Sequence, residues 1–321
     1  MRITPRKPSQ HLATRFPHQP THRRIIQSEI VRRTMATITL DKPNIPVKLP
    51  EGLSEEKLLG FPPFNNWLTT LTRSLSLQHT NVTHPFHQDP YTLRGITIQS
   101  FDLFGRAPHQ RLAFLKLIAD VKNGADETLP GSMFLRGPSV AMLVMLVPDD
   151  VPAGQEDDER YVVLTVQARI PAGSLAFVEL PAGMVDEGGT FAGTAAQEIK
   201  EELGLEIPAS ELQCLSDLVA SPSDHAENEE KAGESDENLP FAVYPSAGGC
   251  DEHIPIFMHE RRVPRETLKE WTGKLTGLRD HGEKITLKLV RMKNLWREGS
   301  RDAKCLAAVA LWEGLRRESR L

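Results

Sequence analysis
Cysteine is scarce in this chain. Its 321 residues include only Cys214, Cys250 and Cys305. They lie far apart with no CxxC pair, so neither a zinc cage nor a disulfide framework is encoded, and a reducing compartment suits them. Long apolar runs are also missing. The longest, Val140–Val147, has eight residues, too few to cross a bilayer, so no membrane is expected as a partner. Excess positive charge is absent: 38 Lys and Arg stand against 43 Asp and Glu, a net charge of −5. That balance gives no global attraction to nucleic acid or to anionic lipid. No GxxxxGK[ST] or HExxH motif occurs, which excludes a P-loop nucleotidase and a zincin-type enzyme. What remains is ordinary globular composition, 39% hydrophobic and 25% charged, in a length suited to about two domains.

Two stretches stand apart. Residues 1–34 carry eight Lys or Arg against the single acid Glu29, a composition that builds no core. Arg-rich, acid-poor character is that of an organelle transit peptide, yet Pro5, Pro8, Pro17 and Pro20 interrupt any helix. A basic tail before an over-extended start, with Met35 opening the ordinary sequence, and a mitochondrial or other organelle signal on an otherwise cytoplasmic chain both stay open. Asp224–Glu237 holds seven acids and one Lys without apolar period; residues 222–238 are expected to be a disordered acidic insertion. The acidic loop Asp149–Arg160 is expected to behave similarly.

Between these lie short strand-like runs: Thr92–Phe104, Arg111–Val121, Val140–Val147, Tyr161–Val166, Leu175–Glu179, Ile254–His259 and Ile285–Val290. Helical patterns cover Asn65–Ser76, Phe191–Leu203 and about Asp302–Arg317. Many short strands with few helices predict an α+β fold. Phe101 and Phe104 are strand aromatics, open to core packing or to stacking on a base. Cys250 has no activating neighbour in sequence.

The chemistry concentrates in Glu179–Gly204. Ala192, Ala195, Ala196, Ile199 and Leu203 fall on one helical face, and Gly204 supplies a stop. Glu198, Glu201 and Glu202 should then stand on adjoining parts of one face. Acids at a helix C-terminus oppose the macrodipole, and like charges four apart cost about 0.2–0.5 kcal/mol per pair. A divalent cation among them relieves the conflict, and clustered oxygens suit Mg²⁺ or Mn²⁺. Alone, such a run reads equally as a solvated acidic face. The preceding loop (Pro181, Gly183, Gly188, Gly189, Gly193) adds backbone able to approach a polyphosphate.

The segment resembles the Nudix box, G-x5-E-x7-R-E-U-x-E-E-x-G-U with U apolar. Gly183, Glu198, Ile199, Glu201, Glu202, Gly204 and Leu205 match, while Gly189 and Gln197 replace a Glu and an Arg that pair with each other in the family. Gln167-Ala-Arg-Ile-Pro, Glu179-Leu-Pro-Ala-Gly183, Ser246–Glu252 and Gly277–Glu283 further resemble the ADP-ribose and ADP-sugar diphosphatase branch, especially its plant-type members. The likeness covers about residues 60–315.

The resemblance implies a Nudix α/β/α sandwich with a mixed sheet over residues 136–321, preceded at 35–135 by a small β-rich domain that swaps across a homodimer. It implies hydrolysis of an ADP-sugar such as ADP-glucose or ADP-ribose to AMP and sugar phosphate, with two or more Mg²⁺ or Mn²⁺ ions. Glu198 and Glu202 would bind metal, Glu201 would join or support them, and the Ala182 carbonyl would add a ligand. Glu283 would complete the metal site or serve the attacking water, with His281 an alternative base. Arg169, Glu179, Gly183 and Glu252 would meet the substrate. The competing reading is a catalytically retired Nudix fold that binds nucleotide or a partner; the losses at Gly189 and Gln197 favour it, and the retained acids oppose it.

Overall fold
The computed structural model describes residues 35–105, 110–185, 189–219, 237, 239–278 and 284–321. Residues 34–321 form one compact unit built around two sheets.

The first sheet has six strands. β1 (Ala36–Leu40) and β2 (Ile45–Leu49) form an antiparallel pair; β2 runs parallel to β3 (Thr92–Phe104), which pairs antiparallel with β4 (Arg111–Lys122). The short strands β5 (Thr128–Leu129) and β6 (Ser132–Leu135) both pair with β4. Along β4, Leu115, Leu117, Ala119 and Val121 are buried at every second position, the signature of a strand with one face on a core. That core is covered by helices α1 (Glu55–Leu59) and α2 (Pro62–Thr80), which contribute Leu58, Phe64 and Leu68. α2 starts earlier than the apolar pattern suggests because proline is tolerated in the first turn, where its missing N–H is no loss. β1 and β2 escape the sequence pattern: Ile45, Val47 and Leu49 alternate correctly, but neighbouring Pro43 and Pro46 demote the run.

The second sheet orders β11 (Gln213–Cys214), β12 (Ile256–Val263), β7 (Ser139–Pro148), β8 (Tyr161–Arg169), β14 (Ile285–Arg291) and β13 (Leu275–Thr276). β9 (Ser174–Glu179) adds to β8 and β10 (Ala182–Met184) adds to β7. β12 runs parallel to β7 and the other pairs are antiparallel, so the sheet is mixed.

Every residue of β7 is buried, as expected for a strand covered on both faces. Its alternation divides the layers. Ala141, Leu143 and Met145 face the carboxy-terminal helix, through Cys305, Ala308, Trp312 and Leu315. Val140, Met142, Val144 and Leu146 face the other way, onto Ala195, Ile199 and Leu203 of the glutamate-bearing helix. This is an α/β/α sandwich, and the fold is α+β with an additional β-rich amino-terminal part. A bridge between Phe134 and Cys250, and the Asp251 carboxylate accepting from the Arg136 and Gly137 amides, tie β6 to the Gly248–Glu252 turn.

One expectation is overturned. The loop at 149–160 is ordered by cations brought in from afar. Arg265 grips Asp150 and Glu159, Arg262 grips Glu156, Lys293 grips Asp158 and Arg316 grips Asp157. Its acids are partners in a network whose other half lies a hundred or more residues away in sequence. The insertion at 222–238, apart from Glu237, lies outside the described residues, as do residues 1–34.

Leu143→Ala should test the shared spine. The residue is fully buried, so the loss of transfer energy and the residual cavity together should cost about 2–5 kcal/mol, read as a lower urea midpoint at unchanged slope.

Candidate metal and phosphate site
The glutamates sit on a helix of two kinds. Thr190 caps it, its hydroxyl accepting from the Gly193 amide at 3.1 Å. Phe191–Glu198 is α-helical (α3), and Ile199–Leu203 continues as a π turn ending on Gly204, whose φ of 71° needs a residue without a Cβ. The unbroken α-helix expected through Leu203 is thus corrected in its last five residues. Single π turns inside helices occur frequently at functional sites.

Residues four apart stack, so Gln197 lies under Glu201 and Glu198 under Glu202, with the two pairs roughly a quarter-turn apart. The Gln197 amide donates to Glu201 Oε1 at 2.9 Å. Glu201 thus has a partner one turn back on its own helix.

Glu202 is 2% exposed. The Ala182 amide donates to its Oε2 at 3.2 Å and Gln167 Nε2 to its Oε1 at 3.3 Å. Burial first, and the nearby Glu198 carboxylate second, push its pKa up to about 8 from an ordinary 4.5; the two hydrogen bonds pull the other way and do not prevail. Gly183 explains how the strand comes so close. A Cβ there would overlap the Glu198 carboxyl group where it stands, so the bare glycine lets β10 lie close against Glu198.

Beside this pair runs a charged chain. Glu179 is buried, with Oε1 on Arg169 Nε at 2.6 Å and Oε2 on Lys304 Nζ at 3.0 Å. Lys304 also reaches Asp302 Oδ1 at 2.9 Å. Asp302 caps the last helix, α7 (Ala303–Arg317, with α4 at Leu215–Val219, α5 at Arg265–Trp271 and α6 at Leu295–Glu298), and accepts from the Leu180 amide at 2.9 Å. Burial opposes the Lys304 charge, but Asp302 and Glu179 outweigh it and raise its pKa.

The predicted residues separate accordingly. Ala182, Gly183, Glu198 and Glu202 are brought together, with Glu179 and Arg169 adjoining. Glu179 lies inside with its two oxygens on Arg169 and Lys304; Arg169, 41% exposed, is the outward member. Glu252 is held by Arg136 at 2.8 Å and by the Ser139 hydroxyl at 2.8 Å, at the joint of the two sheets. His281 and Glu283 lie outside the described residues. Phe101 packs on the first core, while Phe104 is exposed in a row with Phe114 and Phe134. Gln167, Asp302 and Lys304 were missed. Asp302-x-Lys304 reads in sequence only as a helix cap.

Among the described residues no three His, Cys, Asp or Glu gather closely enough to cage an ion. The donors present are still of the right kind for a hard cation: two carboxylates, one of them buried and raised by its neighbour, and no Lys or Arg bonded to Glu202 among the described residues. Mg²⁺ takes few protein ligands and keeps water or phosphate for the rest, so the site fits such an ion.

The covered mixed sheet packs a glycine strand against paired glutamates, and the comparisons with known proteins fall on this same region. A NUDIX domain model matches residues 151–249. Over 257 residues the chain is 35% identical to Nudix hydrolase 14, chloroplastic, of Arabidopsis thaliana, covering 79% of this chain and 71% of that protein. A 44-residue stretch, 14% of this chain and 19% of the relative, is 52% identical to Putative nudix hydrolase 2 of Caenorhabditis elegans. A crystal structure titled as an ADP compounds hydrolase aligns at a TM-score of 0.40 and 15% identity, over 72% of this chain and 99% of that one. The chain belongs to the Nudix hydrolase family.

The pH dependence of stability should expose Glu202. Folded, it holds its proton up to about pH 8; unfolded, it loses it near 4.5. Its contribution is therefore complete below about 4.5 and lost as pH rises through 8. Without divalent metal, the melting temperature should fall between pH 6 and 9, by an equivalent of a few kcal/mol, and Glu202→Gln should flatten that slope. Equal slopes in calorimetry with EDTA would remove the assignment.

Proposed function
We propose that the chain hydrolyses the diphosphate bond of ADP-sugars, with ADP-ribose and ADP-glucose as the substrates to test, giving AMP and a sugar phosphate. The observation that carries the reading is a buried carboxylate, Glu202, beside Glu198 and under the backbone of Ala182 and Gly183. A fold without use for a cation gains nothing from that arrangement. Mg²⁺ or Mn²⁺ ions, two or more, would neutralise the diphosphate and acidify the attacking water.

The chain's own groups do the rest. Glu198 and Glu202 would hold the ions with the Ala182 carbonyl, and Glu201 would support them. Arg169 would bind a phosphate oxygen through its planar fork, while Gly183 keeps the strand close. Glu283 would take the proton from water, with His281 as alternative, a step usually worth about 10²–10⁴ in rate. Glu252, beside the site's joint with the first sheet, would meet the terminal sugar. The segments Gln167–Pro171, Glu179–Gly183, Ser246–Glu252 and Gly277–Glu283 support the ADP-sugar class over other nucleotides. The Arabidopsis relative is named chloroplastic, and the Arg-rich residues 1–34 suit an organelle address.

We also propose a homodimer formed through the first sheet, whose exposed Phe104, Ile118 and Phe134 offer an apolar face to a second copy. Full activity at a monomer mass in sedimentation would end that proposal.

With Mg²⁺ the chain should release AMP from ADP-ribose or ADP-glucose, and Glu202→Gln should lower kcat by about a hundredfold or more. Wild-type protein that binds these nucleotides tightly yet turns none over would point to the retired module.

A further inference from the structure
A lysine lies inside this acidic site, and nothing in the box calls for it. Lys304 has 14% of its side chain exposed and touches Glu179 Oε2 at 3.0 Å and Asp302 Oδ1 at 2.9 Å. The other oxygen of Glu179 holds Arg169 by Nε alone. Among the described residues no side chain engages the two terminal nitrogens of Arg169. The guanidinium is thus gripped along one edge and open along the other, the edge whose paired N–H groups match phosphate oxygens.

Charge accounts for the need of a second cation. Glu179 is 4% exposed, and a buried carboxylate left with one partner draws that partner in to satisfy both oxygens. Lys304 occupies the inner oxygen and so leaves only the outer one to Arg169. Asp302 serves the same clamp from the other side. Its Oδ2 accepts from the Leu180 amide at 2.9 Å and its Oδ1 from the Lys304 amide at 3.1 Å. One helix N-terminus therefore fixes both the side chain that aims Arg169 and the backbone leading to Ala182.

We propose that Lys304 is a positioning residue for substrate binding: by holding the inner oxygen of Glu179 it presents the outer edge of Arg169 to a phosphate of the nucleotide diphosphate. This rests on the functional reading above. Lys304 touches no substrate, so its effect should be on affinity, should run through Arg169, and should leave the step at the glutamates alone.

The test uses the full chain as wild type, Lys304→Met, Lys304→Gln, Arg169→Ala and the double variant Lys304→Met/Arg169→Ala. Kd for ADP-ribose is measured in EDTA, and KM and kcat on ADP-ribose with Mg²⁺. Lys304→Met should raise Kd and KM about tenfold with kcat within about twofold, and the double variant should bind no worse than Arg169→Ala, as coupled residues do. Lys304→Gln, which keeps a hydrogen bond to Glu179, should lie between wild type and Lys304→Met, and replaces it if that variant fails to fold. An unchanged Kd, effects that add in the double variant, or a fall in kcat at constant KM would each overturn the proposal. A purely structural role would lower the melting temperature and leave Kd of the folded fraction where it was. Wild type that binds ADP-ribose without hydrolysing it would sink the functional reading while the EDTA cycle still decides the role of Lys304. Absence of binding would sink both.

Discussion
The burial of one carboxylate governs this structure. Glu202 has been taken out of water at the end of a helix, where the carbonyl dipoles are already negative, and set beside Glu198. Two hydrogen bonds, from Ala182 and Gln167, are all that the described residues give it, and they fall short of keeping it ionised. A core position filled by leucine would be more stable. Such a conflict between local rule and observed residue is where function is expected to reside, and here it coincides with the close approach of the strand at Gly183 to Glu198.

Why the conflict can be held in place follows from the layers. The segment Glu179–Met184 leaves β9, turns at Leu180 and Pro181, and returns as β10 against β7. It passes between the two helices that β7 keeps apart. From one side α3 and its π turn press Glu198 and Glu202 onto it; from the other, the cap of α7 grips Leu180 and Glu179 through Asp302 and Lys304. A segment held from both faces cannot withdraw when its acids repel, so the rigidity of the sandwich is what makes an unfavourable site geometry sustainable. The sheet that does this is itself anchored at its far end, where Arg160 and Arg316 lie over the Trp312 ring and the acids of the 149–160 loop find their cations.

Much of this was legible in the sequence, for reasons of period and spacing. Helix α3 shows a 3.6-residue period, strands β3, β4 and β14 alternate, β7, β8 and β9 read as short β-rich runs, and the glutamate spacing names its own chemistry. What was hidden depends on distance in sequence. Asp302 and Lys304 meet Leu180 and Glu179 more than a hundred residues away, and a capping aspartate two places before a lysine looks like any helix start. The ordering of the 149–160 loop is equally non-local. Ile256–Val263 starts two residues later than its apolar run because Pro255 cannot enter the ladder. The two cations on Glu179 are hidden for the same reason: Lys304 lies 125 residues further along the chain.

The two departures from the box can be weighed on the same terms. Where the pattern has a glutamate and an arginine that brace loop to helix, this chain has Gly189 and Gln197. The amide of Gln197 goes to Glu201, one turn along, and the start of the helix is held by the Thr190 hydroxyl on the Gly193 amide, a cap worth about 1 kcal/mol. The neutral substitution does more than dispense with the brace. An arginine at 197 would stand beside Glu201 and offer it a full charge; glutamine gives only a hydrogen bond and leaves that carboxylate its negative field. Removing one member of the brace would have stranded the other, whereas removing both leaves no unpaired charge. From the β10 side the Ala182 amide holds Glu202, and the close approach of Gly183 sets Glu198 against the same strand. The retained carboxylates and the missing brace are therefore compatible: the first depend on the sheet, and the second on a junction that a threonine cap now closes.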